Sequence, residues 1–254
     1  AEFLLSFAMW RGLRCSPLRN VRWEGVIWYS PTIFLGALAG WMKFGAKCRG
    51  YLILRDIFPE WAVDMGLLKR GPIYWFFKMV ERFQYAMADT IGVQSPSNFP
   101  YFAAWSATPG RRVEVLQNWL ADAPVAGCSL SVSTTPLAGR VIFVYAGNMG
   151  VAQGMDIFLD LAAHLQGRRD IGFLFVGRGT DVSRLKSLAS RRALDNVLFR
   201  DEVEPHEVPG LLAQCDVGLV ALDPRHTTHN VPGKFLTYMY AGLPVLARIN
   251  PGHD

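Results

Sequence analysis

Apolar residues fall along this chain in short blocks, each followed by a turn and then by a stretch with helical spacing. In the first half the blocks lie at 25–29, 51–54, 90–94 and 113–116. A helix is expected over 31–46, where Ser30 suits an N-cap and Pro31 the first helical position. An amphipathic helix is expected over about 72–88, and Ser95-Pro96-Ser97 marks another helix start. In the second half, blocks at 141–146, 171–176, 197–199, 217–221 and 244–248 alternate with helical patterns near 153–166, 181–192, 205–214 and 232–241. Asp181 is a candidate cap. Short apolar strands separated by helices read as parallel sheets covered on both faces. Between the halves, ADAPVAGCSLSVSTTPLAG (121–139) is small, polar and broken by prolines, and reads as a linker. The pattern predicts an α/β chain of two Rossmann-like domains facing a cleft: 1–120, the linker 121–139, and 140–254. Ligands of such sheets bind at the carboxyl ends of the strands.

One run complicates this picture. Residues 25–46, GVIWYSPTIFLGALAGWMKFGA, hold one charge in 22 positions, near the length of a membrane span. Ser30 and Pro31 divide the run into a buried strand and a helix, and an integral membrane protein stands as the alternative. The N-terminus is apolar before it is basic, the wrong order for a secretory signal. Four cysteines lie far apart with no CxxC, which fits free thiols better than a disulfide frame or a zinc site.

Charge changes the picture further. Residues 1–126 carry 14 Lys and Arg against 9 Asp and Glu, and residues 127–254 carry 12 of each, so the net +5 lies wholly in the first half. Most of the aromatic residues lie there too. Basic and aromatic groups together suit an anionic membrane surface; an ordinary solvated face is the alternative, and no nucleic-acid motif accompanies the charge. On the 72–88 helix, Trp75, Phe76, Met79, Phe83 and Met87 form a broad apolar stripe beside Lys78 and Arg82. The stripe faces either the core or a bilayer surface.

Candidate chemistry collects after the strands of the second half. Gly147-Asn148-Met149-Gly150 looks like a phosphate loop, yet it carries no cation and does not fit GxGxxG. Gly177-Arg178-Gly179-Thr180 follows the next strand, Arg200-Asp201-Glu202-Val203 the third, and His229 to Lys234 precedes the last helix. Strand-to-helix loops are glycine-rich in general. Arg178 and Lys234, however, are cations where such folds concentrate ligands, and could supply the charge the first loop lacks. In RDIFPEW, Asp56 and Glu60 could orient an acceptor hydroxyl or take its proton. Ion pairing of Arg55 with either is the structural alternative.

The segments AGNMGVAQGMD, FVGRGTDVSRLK, LFRDEVEPHEVPGLLAQCDVGLVAL and VPGKFLTYMYAGLPVLA, in this order and spacing, resemble the donor domain of glycosyltransferase family 4. YSPTIF, LILRDIFPEWAVDMGLL and ADTIGVQSPSN…VEVLQNW are similar to the subgroup that builds O-antigen, capsule and colanic-acid units, notably N-acetyl-fucosaminyltransferase-like members. The resemblance implies a two-domain GT-B fold and retaining, metal-independent transfer from a UDP-sugar, with no cofactor. No carboxylate cluster or DxD marks a Mg²⁺ site. It implies a donor site of Gly147, Asn148, Met149, Gly150, Gln153, Arg178, Glu202, Val203, His229, Lys234 and Thr237, with Lys234 facing the donor phosphate.

The chain departs from the family at four of these positions. Asn148 and Gln153 stand where many members carry an Arg and a Lys that grip the diphosphate, and His229 and Thr237 where many carry two glutamates. Backbone N–H groups of Met149 and Gly150 are expected to replace part of the missing attraction. Against the family pattern the chain looks truncated at both ends. The expected function is transfer of an N-acetylated deoxy-hexosamine to a polyprenyl-diphosphate-linked glycan by a cytoplasmic protein held peripherally on the inner face of the plasma membrane. A non-catalytic nucleotide-sugar-binding or complex-forming subunit is the rival.

Overall fold

The computed structural model describes residues 2–122, 127–226 and 231–249. They fall into two compact units, the first built from the described residues up to Asn118 with Arg225, His226 and Val231, the second from those between Trp119 and Pro224 and from 232–249.

In the first unit, β1 (Gly25–Tyr29), β2 (Arg49–Ile53), β3 (Thr90–Val93) and β4 (Arg112–Val115) form one parallel sheet in that order. Helices α1 (Leu5–Arg14), α2 (Gly36–Ala46), α3 (Glu60–Asp64), α4 (Pro72–Met87) and α5 (Ala103–Ser106) accompany it. Val26, Trp28, Leu52, Ile91 and Val93 bury one continuous core with Tyr85 and Phe102. β1 alternates, however, and leaves Ile27 and Tyr29 exposed, so it is not the fully buried strand its composition suggests.

The helix expected from residue 31 begins only at Gly36. Ser30 is the reason: its N–H donates to the Ile53 carbonyl and its hydroxyl to the Asp56 carbonyl at 3.3 Å, so it extends the sheet instead of capping a helix. Thr32 then turns the chain by accepting from the Phe34 N–H. Among the described residues no helix is long and apolar enough to cross a membrane.

Helix α4 has the expected span and an inverted burial. Tyr74, Glu81, Gln84 and Tyr85 face inward, whereas Trp75 (59 % exposed), Met79 (61 %), Phe76 and Phe83 face outward. The buried side is held by an ionic network. Lys78 lies 2.7 Å from Glu60 and 2.9 Å from Glu81, with side chains only 11 %, 18 % and 1 % exposed. Tyr74 donates to Glu60 and Tyr101 to Glu81, which satisfies carboxylate oxygens that burial would otherwise penalise. Burial still raises the pKa of Glu81, with Lys78 pulling it back down.

In the second unit, β5 (Val141–Ala146), β6 (Ile171–Val176), β7 (Val197–Arg200), β8 (Val217–Ala221) and β9 (Val245–Arg248) form a parallel sheet ordered β7-β6-β5-β8-β9. The helices are α6 (Asp156–His164), α7 (Val182–Arg191), α8 (Val208–Leu212) and α9 (Lys234–Tyr240). Alternate residues bury opposite faces. Tyr145, Phe173, Phe175 and Leu219 pack with α6 and α7, and Ile142, Val144, Leu174, Val176 and Val220 pack with α8 and Tyr238. Val132 and Leu137, within the stretch that reads as a linker, are buried in this second core, so that part of the stretch belongs to the unit.

Asp181 does not cap α7; its carboxylate pairs instead with Arg184, whose guanidinium also grips Asp156 of α6 with contacts of 2.6–2.7 Å. Hydrogen bonds from Arg184 hold the Asp156 carboxyl below its ordinary pKa. A depressed carboxyl pKa stabilises the fold above the unfolded value and ceases to do so as pH falls through the folded one. The pair with Asp156 is half-exposed and worth about 0.5–1 kcal/mol, but Arg184→Ala also leaves the buried Asp181 carboxylate unpaired, so the change should cost about 1–3 kcal/mol at pH 7. Urea melts should show that difference shrinking towards pH 2.

Candidate functional site

The second unit gathers its loops around a cavity of about 380 Å³ at the carboxyl ends of β5, β6 and β7. Tyr145, buried near the end of β5, donates its hydroxyl to the Asn148 carbonyl at 2.7 Å. The Ala146 N–H donates to the Tyr238 hydroxyl at 3.0 Å. Two tyrosines therefore pin the strand end and the loop after it, and burial raises both phenols above the ordinary pKa.

The β6 loop lies directly on this first loop. Gly177 (φ +144) and Gly179 (φ +155) leave no room for a Cβ, which would overlap the carbonyl oxygens of Gly147 and Met149 respectively. The Met149 N–H donates to the Arg178 carbonyl at 2.7 Å, and the Asp181 N–H to the Met149 carbonyl at 3.1 Å. Only glycine allows backbones to meet this closely at these dihedrals.

Lys234, the first residue of α9, lies over this floor. Its Nζ is 4.7 Å from the centre of the Tyr145 ring. A Cβ on Gly147 would stand 3.1–3.2 Å from Cε and Nζ. Desolvation lowers the pKa of Lys234, and none of the ion pairs among the described residues includes it. A half-buried ammonium without a carboxylate is what an incoming anion would stabilise. Arg178, the second cation, is 81 % exposed and pairs with Glu202 at 3.1 Å.

Of the residues singled out in the sequence, Gly147, Asn148, Arg178, Glu202, Val203, Lys234 and Thr237 line the cavity. Three others do not. Met149 and Gly150 are buried and their N–H groups are already donated, the second to Gln153 Oε1 at 2.9 Å. They offer nothing to a phosphate, and Gln153 serves the loop. The helix that was to add its dipole starts only at Asp156, after a single 3-10 turn. His229 lies outside the described residues.

The two carboxylates of the first unit have different surroundings. Burial raises the pKa of Asp56, and His226 lowers it in part. Glu60 is held by Lys78 and Tyr74. Arg55 donates to the carbonyls of Leu116 (2.6 Å) and Gln117 (3.3 Å) beyond β4. Arg225, His226 and Val231 belong to this unit, and there Val231 is clamped by Gln94 (2.8 Å) and Asn118 (3.0 Å). No spacing in the sequence signals these contacts, nor that of Tyr145 with Lys234. Among the described residues no group of three His, Cys, Asp or Glu could hold a metal ion.

Residues 140–253 match the family model described as glycosyl transferases group 1. This half of the chain is thus similar to a group 1 glycosyl transferase domain. Over 227 residues the chain is 27 % identical to a Pseudomonas aeruginosa protein named as glycosyltransferase WbjE, covering 84 % of this chain and 54 % of that protein. Over 103 residues it is 29 % identical to an Escherichia coli K12 protein named as colanic acid biosynthesis glycosyl transferase WcaI, covering 41 % of this chain and 25 % of that one. Among solved structures, Anabaena HepE in complex with UDP matches at TM-score 0.64 and 16 % identity, with 96 % of this chain and 62 % of HepE covered. Sucrose-phosphate synthase of Thermosynechococcus elongatus matches at 0.66 and 15 %, with 96 % and 59 % covered. These likenesses show the fold, two Rossmann-like units of the GT-B type. The chain spans about half the length of WbjE.

Proposed function

We propose that this chain is the core of a retaining glycosyltransferase. It would move an N-acetylated deoxy-hexosamine from a UDP-sugar to a polyprenyl-diphosphate-linked glycan in bacterial surface polysaccharide synthesis. The observation that carries this reading is Lys234, an ammonium without a carboxylate partner among the described residues, lining a cavity at the strand ends of a group 1 domain. Lys234 and Arg178 offset the charge that grows on the departing diphosphate. That diphosphate accepts the acceptor's proton, so no strong base and no metal is needed. Asp56 orients the acceptor hydroxyl, and Glu60 acts through its Lys78 network as a positioning residue. HepE was solved with UDP and with UDP-glucose, and the WcaI name gives colanic acid biosynthesis, which supports the donor and pathway class. Asn148, neutral where family members carry a cation, favours the rival of a non-catalytic binding subunit. Incubating the chain with a panel of labelled UDP-sugars and polyprenyl-diphosphate glycans decides between them: labelled lipid is the expected product, and donor binding without transfer would support the rival.

Membrane attachment belongs to the same proposal. Trp75, Phe76, Met79 and Phe83 present an apolar face on α4, while Lys78 is turned inward and unavailable to lipid headgroups. Contact is therefore mainly apolar, with Arg82 and other surface cations adding a salt-sensitive part. A buried large apolar side chain is worth about 1.5–3 kcal/mol, so Trp75→Ser with Met79→Ser should weaken binding to anionic vesicles at least ~10-fold. Equal sedimentation of the variant and the parent with vesicles would remove α4 from the membrane contact.

A further inference from the structure

We infer that Tyr145 is a positioning residue for the anion site, holding the Lys234 ammonium over Gly147 so that it meets the diphosphate already ordered. The inference rests on the proposed donor site and adds a residue to it. Tyr145 is buried and does not line the cavity, so it acts through its neighbours. Its two ends have separate jobs. The ring face lies 4.7 Å from Lys234 Nζ, within the range at which an aromatic quadrupole attracts a cation. The hydroxyl donates to the Asn148 carbonyl at 2.7 Å and so fixes the loop whose Gly147 lies under the same ammonium.

Two groups crowd the ammonium among the described residues. The Tyr145 ring centre is 4.7 Å from Nζ, and a Cβ on Gly147 would stand 3.1–3.2 Å from Cε and Nζ. A lysine free to sample its rotamers loses that freedom when it grips an anion; one already held against a ring loses less. The ring can do this because it neutralises nothing: a carboxylate in its place would hold the lysine equally well and repel the ligand. Arg178 illustrates that second arrangement, since Glu202 must be displaced or tolerated by any anion that approaches it.

The test is a double-mutant cycle on UDP affinity, measured by calorimetry with pyrophosphate as a second probe, alongside the melting temperature of each variant. Tyr145→Leu removes the ring and the hydroxyl and should raise Kd for UDP about tenfold, about 1.4 kcal/mol. Tyr145→Phe keeps the ring and should raise it about threefold or less. In a Lys234→Met background, Tyr145→Leu should change Kd by less than about twofold, because the group it positions is gone. A merely structural tyrosine would instead give the same fold-loss with or without Lys234, and that additivity would overturn the inference while leaving the donor site intact. Failure of the parent chain to bind either UDP or pyrophosphate would remove the anion site and this inference with it.

Discussion

Lys234→Ala should weaken UDP binding by about 1.5–3 kcal/mol, the range for a hydrogen bond to a charged group. Desolvation lowers the pKa of Lys234, and no ion pair among the described residues offsets that penalty. A diphosphate in the cavity would stabilise the ammonium and take the interaction. The same reasoning sets a pH dependence: the charged form binds, so affinity should start to fall at a pH below the ordinary lysine value of about 10.4. Arg178→Ala should cost less, because that guanidinium is exposed and already paired with Glu202. Calorimetric titration of the parent and both variants gives the order. Unchanged affinity in Lys234→Ala would take Lys234 out of the site.

Gly177→Ala should destabilise the second unit by about 2–5 kcal/mol and weaken UDP binding as well. Two penalties act together: a φ of +144 that a Cβ makes strained, and a Cβ placed on the Gly147 carbonyl oxygen. Relief requires the first loop to move, and that loop is the floor under Lys234. Gly167→Ala is the control, since nothing lies within 4 Å of a Cβ there and its dihedral is ordinary. Urea unfolding of the three chains measures the difference. A Gly177→Ala melt equal to that of the control would contradict the packing described for these loops.

The fold class was legible because its signal is local. Short apolar blocks between turns predict parallel strands, and both sheets are parallel throughout. Their orders, and the placement of Arg225, His226 and Val231 in the first unit, depend on contacts between distant residues that no spacing encodes. Ser30-Pro31 misled for a related reason. The pair is a good helix start in isolation, but Ser30 found a better partner across the sheet in Ile53. On α4 the apolar stripe at 75, 76, 79 and 83 has the right period and the opposite direction. A buried Lys78 between Glu60 and Glu81 outweighs the usual rule, because each charge there is paired.

Glycine and cation placement located the cavity lining, since a residue after a parallel strand must lie at that end of the sheet. Hydrogen-bond accounting was beyond the sequence. Met149 and Gly150 offer N–H groups on paper, but Arg178 and Gln153 already accept them. Tyr145 reads as one more apolar strand residue, and only the fold brings its ring to Lys234. Gln153 carries the same lesson: an amide that looked like a substitute for a missing cation is a turn-forming acceptor. Restoring charge at Asn148 alone is therefore the conservative change, because Gln153→Lys would release the Gly150 N–H.

The proposed function makes the cavity at the ends of β5, β6 and β7 a metal-independent nucleoside diphosphate site. Titrating the chain with UDP by calorimetry, with and without a metal chelator, tests it most directly. Saturable binding of one UDP per chain is expected, displaced by UDP-sugars and unchanged by the chelator. No saturable binding, or binding that appears only when Mg²⁺ is added, would contradict it.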